Sequence, residues 1–233
     1  EEGADDPANC GDGSAGSGAS PDTYFDATFC NGGIRRCLSG NSGLVRDELD
    51  AQLPEWHAAG VIVNTTLYGG CANGDVFWTS VHDEFTMVTM HEFGHSIFGL
   101  ADEYHYWEGC DSGETGHDEY TGAEPGSPNL TSQTNRADIK WNYFIKDSTP
   151  VPSMVNPDCT ECDNRANELG DDTLIGAFEG GGYFHCGKYR PAYVCRMRDH
   201  EKDFCRVCVD AIADTLSPFL TSEATIEIHP GDV

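Results

Sequence analysis

Residues 87–104 read MVTMHEFGHSIFGLADEY, with His91-Glu92-Phe93-Gly94-His95 at the centre. On a helix, positions four apart share one face about one turn apart. His91 and His95 can therefore approach one metal ion from the same side. Glu92, next to the first histidine, can reach a water on that ion as general base. The plain alternative is a pair of partly buried core histidines with a solvated glutamate. Three features weigh against it. Phe85–Met90 has the apolar content of a buried helix. Gly99 offers a helix stop just after the turn of the second histidine. Asp102 then follows, seven residues past His95, where the chain can turn back to present a third ligand. Two histidines and one carboxylate leave the fourth position of a tetrahedral zinc open, which is the catalytic pattern.

The whole chain sets bounds on the rest. Its 233 residues make one large domain or two small lobes around a cleft. Forty acidic against 13 basic residues give a net charge of −27. Such a field repels nucleic acid and anionic membrane surfaces, and favours solubility, calcium or a cationic substrate. No apolar run is long enough to cross a membrane as a helix. Eleven cysteines point to an exported, disulfide-bonded protein. Their number is odd, so at least one thiol is free or pairs outside the chain. A zinc ribbon built from Cys159-x-x-Cys162 and Cys205-x-x-Cys208 is the competing reading, at a separation longer than ribbons use. The chain has neither an initiating Met nor a signal peptide, as expected of a processed chain.

Along the chain, residues 1–22 read as irregular surface, and Cys30 and Cys37 as the ends of a short loop. Ser42–Leu53 reads as a helix ended by Pro54, and Gly60–Leu67 as a β-branched strand. Val76–Val81 reads as a second strand, and the motif helix as Asp83–Phe98. Residues 108–135 are an acidic loop in which a calcium site is an open alternative to plain solvation; no EF-hand spacing is present. Phe178–Pro191 (FEGGGYFHCGKYRP) is Gly-rich and aromatic, with sharp turns. Phe204–Leu216 is an amphipathic helix, and Ala224–His229 alternates like a strand. Asn64-Thr-Thr and Asn129-Leu-Thr are glycosylation sequons.

HEFGHSIFGLADEY is not alone. YFDATFCNGGIRRCL (24–38), VIVNTTLYGG (61–70), YTGAEPGSPNLT (120–131), FEGGGYFHCGKYRPAYVCRMR (178–198) and DFCRVC (203–208) follow in order. Together they resemble the igalysins, metzincin-like zinc peptidases named for an immunoglobulin A-cleaving member. The resemblance implies an α+β, two-lobed zincin fold: a mixed twisted sheet, an active-site helix and an irregular, disulfide-rich C-terminal lobe. It places the catalytic domain at residues 1–217, the upper lobe at about 1–100 and the lower at about 101–217. Residues 218–233 are then a strand or linker to a further domain.

The same resemblance implies a secreted zinc endopeptidase acting on protein or peptide. His91 and His95 match the zinc histidines, Glu92 the general base and Asp102 the third ligand. Ordinary metzincins have a spacing one residue shorter, so Glu103 and His105 compete with Asp102. Met197 matches the Met-turn residue, a packing element beneath the metal. The tyrosine that many metzincins carry two residues later is Asp199 here, which leaves Tyr189 and Tyr193 as candidates to stabilise the transition state. An extended substrate would pair with an edge strand of the upper lobe, read as Val76–Val81. The strand and helix that normally open the domain are missing, which implies either a cleaved N-terminal segment that stays bound and pairs with the odd cysteine, or a looser resemblance at this end. The alternative function is a non-catalytic adhesion or glycan-binding module on the same scaffold.

Overall fold

The computed structural model describes residues 3–107, 109–110 and 116–220. The elements are α1 (Ser42–Gln52), β1 (Ala59–Val63), β2 (Gly70–Asn73), β3 (Val76–Ser80), α2 (Phe85–Phe98), β4 (Phe178–Gly181), β5 (Phe184–Arg190) and α3 (Arg206–Leu216), with short 3-10 turns between them. This is a mixed α+β fold with small sheets, as the sequence implies.

The first sheet has the order β1-β3-β2, with β1 parallel and β2 antiparallel to β3. The expectation of an edge strand at Val76–Val81 is therefore corrected: β3 is central. All five of its residues are buried, and ValPheTrpThrSer is too apolar for a strand with one open side. The edge that faces α2 is β2, whose GCAN sequence carries no strand signature. The strand expected at Gly60–Leu67 starts one residue late and runs four residues past the end of β1, which stops at Val63, before the polar Asn-Thr-Thr.

Helix α1 starts where Asn41 Oδ1 accepts the Leu44 N–H at 3.0 Å, a side-chain N-cap. It covers a core of Phe29, Leu38, Val45, Val63, Val76 and Trp78, in which Trp78 Nε1–H donates to Ser42 Oγ at 3.1 Å. A second core gathers Phe98, Leu100, Ile139, Trp141, Ala192, Met197 and Val207. Trp141 anchors it, with its indole N–H donating to Gly176 O at 2.7 Å. Each fully buried side chain of this size contributes about 1.5–3 kcal/mol, so both cores rest mainly on their tryptophans and aliphatics. Helix α2 packs on β2, β3 and α3, and so lies between the two cores.

Four disulfides join Cys10–Cys30, Cys37–Cys71, Cys110–Cys162 and Cys159–Cys186. Cys30 and Cys37 do not close a loop together. Cys30 instead ties down the irregular N-terminal segment, and Cys37 staples the edge strand β2. Cys159 and Cys162 enter separate disulfides, so the zinc-ribbon reading fails. Three cysteines stand outside disulfides: Cys195, Cys205 and Cys208, all buried. They sit in the second core, away from the start of the chain. The Asn129 sequon is also corrected, since that side chain is fully buried and its amide donates to Ala101 O and Glu103 Oε1. No helix among the described residues is long and apolar enough to cross a membrane. The strand expected at Ala224–His229 lies outside the described residues.

Candidate metal centre

Helix α2 begins at Phe85, two residues later than the sequence reading, because Asp83 lies in the turn before it. It ends at Phe98, where Gly99 takes the left-handed conformation (φ 62°, ψ 22°). A Cβ would be strained there, which is why glycine holds the position. The turn folds Leu100 back so that its N–H reaches Gly94 O at 3.1 Å. The carbonyl of Leu100 then faces the last turn of α2 and accepts the His95 Nδ1–H at 2.7 Å. His91 Nδ1–H donates in the same way to Arg196 O at 3.0 Å.

These two acceptors fix both tautomers. A carbonyl oxygen cannot donate, so Nδ1 carries the proton in each ring and Nε2 presents a lone pair. The two Nε2 atoms are 3.1 Å apart. Asp102 Oδ1 completes a triangle with them, 3.0 Å from His91 and 3.2 Å from His95. Asp102 is buried, and its Oδ1 has no hydrogen-bond donor. Two lone pairs and an anionic oxygen converging this closely repel unless a cation stands among them. Three donors about 2.0–2.1 Å from a tetrahedral zinc lie roughly 3.3 Å apart, close to these separations. The electrostatics say the same. Burial by itself lowers a histidine, yet the Asp102 charge reverses this and carries His95 up to about 9. The site demands positive charge, and a divalent ion meets that demand. The residues fit the metal.

Asp102, not its competitors, is brought to the histidines. Glu103 is fully buried and turned the other way, toward Asn129 and Cys208. His105 faces Cys110. Asp102 is held by a feature that the sequence did not disclose. Strands β4 and β5 form a hairpin whose tip is Gly182-Tyr183, both with positive φ (53° and 70°). This is the backbone of a type I′ turn, normal for glycine and costly for tyrosine. The tip bonds the ligand segment through Gly182 N–H to Asp102 O (2.9 Å) and Tyr183 N–H to Tyr104 O (3.1 Å). The Tyr183 hydroxyl donates to Asp102 Oδ2 at 2.5 Å. Only the Gly-rich run around Tyr183 hinted at a turn.

Glu92 is buried beside the histidines, and burial pushes its carboxyl up despite the opposing pull of His91 and His95. Gly70 of β2 makes room for it: a Cβ there would lie 3.2 Å from Glu92 Oε1 and 2.5 Å from Val88. Met197 is fully buried, with its sulfur against α2; a Cβ on Gly94 would meet Sδ at 2.9 Å. Gly94 is thus the hole that receives Met197, midway along the motif. Met197 O also accepts the Glu103 N–H at 2.7 Å, which links that loop to the ligand segment.

His91, Glu92, His95 and Asp102 border one cavity of about 960 Å³, together with Cys71 of β2, Tyr104 and Tyr183. A family model described as IgA Peptidase M64 matches residues 13–173 and 167–216. The chain belongs to the IgA peptidase M64 family. No curated protein matches it. Membership makes this chain a peptidase of a metallopeptidase family, with protein or peptide as substrate. Within this M64 chain, Tyr189 and Tyr193 lie away from the cavity. The hydroxyl of Tyr189 donates to Glu179 Oε1 at 3.1 Å, and that of Tyr193 to Arg165 O at 2.5 Å. The tyrosines that border the cavity are Tyr68, Tyr104, Tyr106 and Tyr183. In the acidic loop, Glu108, Asp111 and Glu114 lie outside the described residues. Glu124 is engaged by Ser132 and Lys140. Among the described residues, the clusters suited to a metal include none made of that loop's carboxylates.

Proposed function

We propose that the chain is a secreted zinc endopeptidase of metzincin-like build, with His91, His95 and Asp102 as zinc ligands and Glu92 as general base. The observation that carries this reading is the convergence of two Nε2 lone pairs and an unpartnered, buried carboxylate oxygen on the wall of a cavity of peptide size. Zinc, when bound there, supplies an acidified water and a Lewis acid for the scissile carbonyl. Glu92 accepts the proton of the attacking water and hands it to the leaving nitrogen.

Tyr183 acts as a positioning residue by holding Asp102. Tyr104 and Arg36, whose guanidinium lies 5.8 Å from the Tyr104 ring centre, border the same cavity and take the role of facing the developing oxyanion in place of Tyr189 and Tyr193. The substrate runs extended beside β2, the edge strand on the cavity wall, and not beside β3. Two separate cores, drawn from residues 4–78 and 98–208, support an upper and a lower lobe that divide near residue 100. The four disulfides support secretion.

The deciding experiment is Glu92→Gln. The variant keeps its zinc and its melting temperature and loses about 10²–10⁴-fold in kcat on a peptide library. Undiminished turnover would overturn the assignment.

A further inference from the structure

The three cysteines outside disulfides meet at one point. Cys195, Cys205, Cys208 and Glu103 are buried, and one ligand atom of each lies within 4.8 Å of all the others. Cys195 Sγ and Cys208 Sγ are 3.6 Å apart, and Cys208 Sγ is 3.5 Å from Glu103 Oε1. A disulfide needs its sulfurs at about 2.05 Å. A tetrahedral zinc with Zn–S near 2.3 Å and Zn–O near 2.0 Å sets S···S at about 3.7 Å and S···O at about 3.5 Å. The observed separations match the metal and not the bond. Glu103 supplies a second, independent sign. Its Oε1 accepts from Asn129 at 2.9 Å, while its Oε2 is fully buried with no donor.

We propose that Cys195, Cys205, Cys208 and Glu103 form a second, structural zinc site, distinct from the cavity site. The donor set is closed, with four protein ligands and no open position, which is the structural pattern. Three thiolates select zinc over calcium or magnesium. The backbone is arranged for it. Cys205 is the N-cap of α3 and Cys208 lies in its first turn, where the helix dipole favours thiolate. The Cys205 N–H donates to Cys195 Sγ at 3.3 Å, a backbone bond of the kind that steadies an anionic sulfur. Three cysteines cannot all pair with one another, whereas one metal engages all three and the Glu103 carboxylate.

The site also has a structural task. Cys195 and Cys205 bracket the loop that carries Arg196 and Met197; Arg196 O orients His91, and Met197 packs against Gly94. Glu103 directly follows Asp102. One buried metal thus pins the Met197 loop, the start of α3 and the ligand segment together.

The test uses the full chain purified without chelator. Metal analysis of the wild type gives two zinc ions per chain, and the His91→Ala/His95→Ala variant retains one. Reconstitution of that variant with Co²⁺ gives a thiolate-to-cobalt charge-transfer absorption, which a His₂Asp site cannot produce. Cys208→Ser abolishes it. Should that variant fail to fold, the wild type still decides. Denaturing, non-reducing alkylation modifies three cysteines per chain. A single modified cysteine would reveal a disulfide among the three and overturn the site. So would a metal-free double histidine variant. One zinc in both the wild type and the double variant would uphold this site and count against the catalytic one.

Discussion

Replacement of Tyr183 by Phe removes one hydrogen bond and little else. The hydroxyl donates to Asp102 Oδ2 at 2.5 Å, and the backbone bonds of the hairpin tip to Asp102 O and Tyr104 O do not depend on it. Phe also keeps the positive φ of 70°, so backbone strain is equal in both proteins. A hydrogen bond to a charged group contributes about 1.5–3 kcal/mol, which caps the effect on zinc affinity at roughly 10- to 150-fold. Groups that orient metal ligands cost about 10- to 100-fold when removed, within that cap. The expected result is a zinc Kd weakened about 10- to 100-fold, measured by competition with a chromophoric chelator. At saturating zinc, kcat returns close to wild type, because His91, His95 and Glu92 are untouched. A Kd within about twofold of wild type would refute the positioning role. A kcat that stays low under saturating zinc would show that the hydroxyl acts on the substrate instead.

Three further outcomes follow from the same geometry. Dialysis against a chelator abolishes peptidase activity and added zinc restores it, whereas Asp102→Ala is not restored; recovery of that variant would remove Asp102 from the ligand set. Gly99→Ala meets no atom within 4 Å but must hold φ at 62°, which costs about 1–2 kcal/mol and lowers Tm by a few degrees by calorimetry. Burial alone would raise the Glu124 carboxyl, but bonds from Ser132, Thr131 and Lys140 hold it at about 2 against an ordinary 4.5. Its stabilising contribution is complete above about pH 4.5 and is lost as the pH falls toward 2, so Glu124→Gln melts below wild type at pH 7 and alike at pH 2.

The contrast between what could be read and what could not follows the range of the interactions. His91, Glu92 and His95 are legible because helical periodicity joins positions four apart, and Gly99 because a left-handed residue is a local demand. The start of α1 is legible because Asn41 caps its own helix. The central position of β3 was missed because strand order is a long-range property, and GCAN forms the edge only because Cys37 and α2 hold it there. The residue that joins the two histidines is not legible in the sequence because Asp102, Glu103 and His105 sit on one short segment. Which of them turns inward is decided by Tyr183, 81 residues away, and by the buried pocket that draws off Glu103.

The sequence by itself determined the family, the α+β class and the His91-Glu92-His95 cluster from which the proposed site is built. Each rests on residue type at short spacing. The tertiary structure alone decided the rest. It brought Asp102 rather than its neighbours to the histidines, kept Tyr189 and Tyr193 off a cavity bordered by Tyr68, Tyr104, Tyr106 and Tyr183, and gathered Cys195, Cys205, Cys208 and Glu103. Those choices depend on which distant carbonyl, hydroxyl or sulfur the fold brings within about 3–4 Å, and spacing along the chain does not encode that.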